Sequence, residues 1–149
     1  MNELKTALGN KIVQLKKKRN WTWADVGREL GHSPVWSCAA CLGQMSMKPE
    51  TAAKAAALFA LSNEEKALLE QVPYRGSIPS TPPTDPLIYR FYELISVYGT
   101  TFKSLIEEEF GDGIMSAIDF DMALERQPDP KGDRVKITMS GKFLPYKTY

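Results

Sequence analysis

One histidine and two cysteines are all the imidazole and thiol that 149 residues offer. The cysteines, Cys38 and Cys41, make a single CxxC spacing with no second pair to complete a four-ligand zinc site. His32 stands alone, six residues before Cys38. A thiol redox motif would follow a strand in a βαβ unit, whereas this pair lies within a helical pattern. Both cysteines therefore read as small apolar residues on a helix, and a bound metal is not expected. Long hydrophobic runs are missing too. No apolar stretch reaches the roughly 20 residues that span a bilayer. The start, MNELKTALGN, has no apolar h-region and no small-residue cleavage site, so the expected setting is cytoplasmic, away from membranes. A glycine-rich phosphate loop is absent, since Gly111-Asp112-Gly113 is too short and precedes a strand pattern. Excess charge of one sign is slight. The chain carries +1 overall, with 11 Lys+Arg against 7 Asp+Glu (+4) in residues 1–77 and 8 against 11 (−3) in residues 78–149.

What is present reads as two domains. Residues 1–77 are helical. Leu4, Leu8, Ile12 and Leu15 recur at spacings of three and four, one face of an amphipathic helix that closes on Lys16-Lys17-Lys18-Arg19. A second helix starts after Thr22 and stops at Gly31, and Ser33-Pro34 opens a third that carries Trp36, Cys41 and Leu42. Pro49 opens an alanine-rich fourth, and Ser62-Asn63-Glu64-Glu65 is a capping-box start for a short fifth. Residues 74–86, with four prolines, read as a linker. In residues 78–149, Asp85-Pro86 starts a helix carrying Leu87, Phe91, Leu94 and Ile95 inward until Gly99 ends it. Thr100 or Thr101 then caps another, closed by Gly111. From Ile114 the pattern turns β-like, with Ile118, Phe120 and Met122 on one face. Val135, Ile137 and Met139 alternate after a turn-rich QPDPKGD, and Ser140-Gly141 reads as a turn. The result is a hairpin or three-strand meander with two helices. So few strands close no core alone, and pairing with a second subunit is expected.

The segment WTWADVGRELGHSPVWSCAACLGQ resembles a helix-turn-helix. A recognition helix needs Arg, Lys, Asn or Gln near its N-terminus to read base edges, and Ser33-Pro34-Val35-Trp36-Ser37 offers none. The Lys16–Arg19 run reads as a solvated face rather than a phosphate contact. Nucleic acid is thus not the expected partner. A small DNA-binding regulator with a C-terminal dimerisation domain is the alternative reading.

The second half holds no histidine and no cysteine, which excludes a Ser-His-Asp or Cys-His device within it. Glu107, Glu108 and Glu109 are consecutive on a helix and point different ways, so they read as a solvated surface. Arg90 and Glu93 lie three apart and share a helix face, flanked by Tyr89, Phe91 and Tyr92. On composition alone they are a surface ion pair. Ser116 is alone in the apolar start of a strand, GIMSAIDF, where a small residue fits.

Taken in order, the segments change that reading. DPLIYRFYELISVYGTTFKSLI, then EEEFGDGIMSAIDFDM, then GKFLPYK resemble the cyanase (cyanate hydratase) family, and NWTWADVG with the LGQ after the third helix extends the resemblance to the first half. It covers nearly the whole chain, and the YRFYE, YGTT and FGDGIMSAI segments are its most specific parts. The resemblance implies an α+β fold: an N-terminal bundle like the helix-turn-helix domains of POU-specific or lambda-repressor type, and a small C-terminal α+β domain that interlocks in a dimer. It implies bicarbonate-dependent conversion of cyanate to ammonia and carbon dioxide through carbamate, without a cofactor, bicarbonate being a co-substrate. The family's catalytic Arg, Glu and Ser fall on Arg90, Glu93 and Ser116. Homodecamers, as pentamers of dimers with sites where subunits meet, are implied as well.

Overall fold

Local signals in the first half do what their chemistry asks. The structure is a computed structural model that describes residues 2–76 and 81–148, and the chain divides into two units, Met1–Ser77 and Ile78–Tyr149. The described residues of the first unit form five helices: α1 (Asn2–Lys18), α2 (Trp23–Leu30), α3 (Pro34–Cys41), α4 (Pro49–Phe59) and α5 (Asn63–Glu70). Reciprocal capping boxes start α2 and α5. The Asp25 N–H donates to Thr22 Oγ1 at 3.1 Å while the Thr22 N–H donates to Asp25 Oδ2 at 2.7 Å. Glu65 and Ser62 repeat this at 3.1 and 2.9 Å. Ser33 caps α3 by accepting the Trp36 N–H at 3.2 Å, with Pro34 at the first helical position. Gly31 ends α2 at φ 77°, a left-handed conformation that costs glycine nothing.

The apolar faces of these helices meet in one core: Leu8 and Ile12 of α1, Val26 and Leu30 of α2, Cys41 of α3, Ala52, Ala55 and Phe59 of α4, and Leu69 of α5. The stripe read on α1 narrows towards its start, where Leu4 is exposed. The Lys16–Arg19 run is a solvated face, with Lys17, Lys18 and Arg19 exposed and Lys16 half-buried. Lys16 Nζ donates to the Trp21 carbonyl at 3.0 Å and sits 5.0 Å from the Trp23 ring centroid. The Arg19 guanidinium lies 4.7 Å from the Trp21 ring and donates to the Leu58 carbonyl. Both use cation–π contact to tie the end of α1 to the following turn. Lys5 is buried, and its Nζ donates to the carbonyls of Leu68 and Gln71, where the end of α5 presents unsatisfied oxygens. Desolvation there holds its pKa below the ordinary lysine value.

Among its described residues the second unit is one helix and one hairpin: α6 (Pro86–Phe110), β1 (Gly113–Gln127) and β2 (Arg134–Pro145). Part of the proposed linker, residues 77–80, lies outside the described residues. Asp85 caps α6 as expected, its Oδ1 accepting the N–H groups of Leu87 and Ile88 at 3.0 and 2.9 Å. The expected break at Gly99 does not occur. The helix runs through Gly99, Thr100 and Thr101, because a glycine costs a helix interior only about 1 kcal/mol and stops it only when the chain leaves helical φ/ψ. Among the described residues the strands pair antiparallel from Gln127↔Arg134 through Met122↔Met139 to Gly113↔Pro145, as a two-stranded hairpin. Ser140-Gly141 is no turn: β2 passes straight through it.

The largest departure from expectation concerns Leu87, Phe91, Leu94 and Ile95, which do not face inward. They are 68, 47, 42 and 57% exposed. Ile118 is 99% exposed, since a bulge breaks the alternation that was to align it with Phe120 and Met122. Among the described residues of this unit Ser116 alone is buried. One helix and two strands have too little surface to cover their own apolar side chains.

Candidate active site

Arg90 and Glu93 stand near the start of α6, whose register is set by the Asp85 cap and Pro86. One helical turn separates them, and Arg90 Nη1 lies 3.8 Å from a Glu93 carboxylate oxygen, the two side chains being 65 and 51% exposed. That distance is too long for a two-bond fork onto the carboxylate, so the guanidinium is orientated while most of its N–H donors stay open. Tyr89 lies under the same guanidinium at 5.9 Å, and the rings of Tyr89 and Tyr92 are 6.0 Å apart. Beside them, Pro83, Ile88, Phe91, Tyr92 and Ile95 line a groove that is almost wholly apolar.

Ser116 lies in the bulge of β1 and is 5% exposed. Its Oγ accepts the backbone N–H of Ile118 at 3.0 Å and of Asp119 at 2.9 Å. The structure thus pairs Arg90 with Glu93, but no hydrogen bond joins Ser116 to either of them. The two amides that hold Ser116 went unread in the sequence. Their signal is a serine followed at two and three positions by residues able to turn back on its hydroxyl, a pattern that apolar neighbours masked.

The two thiols and the imidazole lie in the first unit. Cys41 is fully buried in the core, and desolvation, helped by the neighbouring Cys38, pushes its thiol up to about 12. Burial raises Cys38 as well. Burial opposes the thiolate form in both, and the core position of Cys41 agrees with reading it as an apolar helix residue. His32 packs its ring 4.1 Å from that of Trp36, with Nε2 at 3.3 Å from Thr51 Oγ1. From Pro34 to Cys41, α3 presents no side chain suited to reading a base edge. Among the described residues no helix is long and apolar enough to cross a membrane.

Comparison with known proteins covers both units. Residues 80–148 match the family described as cyanate lyase C-terminal domain, which sets the second unit among the lyases. Residues 5–73 match the family described as cyanate hydratase, N-terminal. A cyanate hydratase of Methylibium petroleiphilum is 63% identical over 139 residues, 93% of this chain and 95% of that protein. One from Dechloromonas aromatica is 64% identical over 138 residues, 93% and 94% of the two chains. One from Albidiferax ferrireducens is 54% identical over the full length of both. The crystal structure of a cyanase from T. urticae superposes with a TM-score of 0.80 at 34% identity, covering 93% of this chain and 96% of that one. The chain belongs to the cyanate hydratase family.

Proposed function

We propose that this lyase carries out the bicarbonate-dependent decomposition of cyanate to ammonia and carbon dioxide, with Arg90, Glu93 and Ser116 as its catalytic residues. The observation that carries the assignment is the open guanidinium of Arg90, loosely steered by Glu93 at 3.8 Å and more than half exposed. Two anions that repel each other must be held together, and a guanidinium, which keeps its charge at any working pH, can chelate oxyanions through two parallel bonds. Bicarbonate oxygen adds to the cyanate carbon and the nitrogen takes up protons. The adduct then loses carbon dioxide to leave carbamate, and carbamate takes up a proton and splits into ammonia and a second carbon dioxide. Ser116 donates to the charge that develops on the adduct, and Glu93 orients Arg90. Bicarbonate is itself the nucleophile, so the reaction asks for no activated side chain and no cofactor, and much of the acceleration is proximity and electrostatics.

A single site arginine per chain is little for two anions. Sites formed where subunits meet would repeat the Arg90–Glu93–Ser116 set, and the uncovered apolar side chains of α6 and the hairpin support assembly through this unit. The assembly proposed is a homodecamer, a pentamer of dimers interlocked through their C-terminal units. The test is ammonia release from cyanate by the purified protein beside its Arg90→Ala variant. Release lost in a variant that keeps its assembly supports the site; equal release from both removes Arg90 from the chemistry.

A further inference from the structure

Opposite the bulge, the two strands are badly mismatched in length. Met115 pairs with Phe143 and Phe120 with Gly141, so four residues of β1, Ser116 to Asp119, face the single residue Lys142. Bulges re-aim side chains, and here the re-aimed side chain is Ser116. Its hydroxyl has two lone pairs and one proton. The N–H groups of Ile118 and Asp119 take up the lone pairs, at 3.0 and 2.9 Å, which leaves the proton as the one valence the hydroxyl can still use.

Gly141 is what lets the bulge sit so tightly. A Cβ built there would press on the Ser116 carbonyl oxygen and lie 2.7 Å from Met115 Cγ, closer than real side chains pack. Its backbone is not in the left-handed region, so no dihedral constraint calls for glycine at this position. The requirement is space alone, and the atom that needs the space is backbone of Ser116 itself.

We infer that Gly141 is a positioning residue for the reaction: by carrying no side chain it lets the 116–119 bulge close on β2, so that two backbone amides occupy the Ser116 Oγ lone pairs and commit its hydroxyl to donating toward the anionic substrate. This rests on the assignment of Ser116 to the site. It also fixes the sense of the serine's part, which is to donate a hydrogen bond rather than accept a proton or attack.

The test is a double-mutant cycle on the assembled protein, with kcat and KM for ammonia release measured for Gly141→Ala, Ser116→Ala and the pair. Size-exclusion and thermal unfolding check each variant's assembly. Gly141→Ala should lower kcat at least ten-fold, as expected of a donor used in the transition state. The pair should be no slower than Ser116→Ala, because a residue that acts through Ser116 has nothing left to position. Losses that multiply in the pair would overturn the inference. An Ser116→Ala variant with native kcat would instead overturn the site assignment on which it rests, whatever Gly141→Ala does. Should Gly141→Ala not assemble, Met115→Ala/Gly141→Ala removes the side-chain part of the clash and keeps the pressure on the Ser116 carbonyl. An assembled pair with depressed kcat upholds the inference. Native kcat in it, or failure of both forms to assemble, overturns it by placing Gly141 in hairpin folding alone.

Discussion

Replacing Arg90 by lysine separates what that residue does for folding from what it does for chemistry. The Arg90–Glu93 pair spans 3.8 Å between side chains that are 65 and 51% exposed. Such an i,i+3 surface pair contributes about 0.2–0.5 kcal/mol, and lysine at the same position keeps the charge. Unfolding should therefore move by less than about 0.5 kcal/mol, which for a chain of this size is a Tm change of about 2 °C or less. Activity should respond on another scale. Lysine offers a point charge where arginine offers a planar fork, so at least one donor to the bound anion is lost. Losing one preorganised donor to developing negative charge costs about 2.7–4 kcal/mol, or roughly 100- to 1000-fold in rate. The assay is steady-state ammonia release at saturating bicarbonate, with thermal unfolding and elution volume recorded on the same preparation. An Arg90→Lys variant within about three-fold of native kcat/KM would refute the role of the fork, as would an activity loss matched by a comparable loss of stability.

Three further outcomes follow from the packing. Phe59→Ala, at a residue 1% exposed and edge-on to Trp21 at 6.0 Å, should destabilise the first unit by about 3–5 kcal/mol. Because all three tryptophans lie in that unit, urea unfolding followed by their fluorescence reads it directly, and an unchanged midpoint would contradict the core described. Ile118→Asp, at a side chain 99% exposed in the single chain, should shift the protein to smaller species in size-exclusion, whereas unchanged elution would place the subunit contacts elsewhere. The Cys41 thiol, at about 12 when folded against an ordinary value near 9, stays protonated while an unfolded chain ionises. The unfolded state then binds fewer protons, so this stabilising contribution is complete below pH 9 and declines between pH 9 and 12, by at most about 1.4 kcal/mol per pH unit. Cys41→Ala should start less stable and show a shallower decline over that range; parallel slopes would refute it.

The first unit was legible because its signals are local. Thr22 before its helix, Ser62 with Glu65, Ser33 before Pro34 and Gly31 each act within four residues, and each acts as its chemistry dictates. The second unit was misread where the deciding partner is distant. Gly99 looks like a stop only if the helix has no other reason to continue, and Gly141 looks like a turn only if Ser116 is not packed against it. Period-two alternation failed at Ile118 because that residue lies within the unpaired 116–119 bulge, and sequence alternation carries no mark of the insertion. The inward face expected for Leu87, Phe91, Leu94 and Ile95 assumed a core that one helix and two strands do not supply. Arg90 and Glu93 were legible as a pair from spacing alone, but their open geometry was not, and neither were the amides that hold Ser116.

The most direct measurement is ammonia release from cyanate in buffer stripped of carbon dioxide, with bicarbonate then added back to the same sample. Release should be negligible before the addition and should rise with bicarbonate to saturation. Equal release in the stripped buffer would mean that water, not bicarbonate, attacks cyanate, and the pairing of two anions at Arg90 would be wrong.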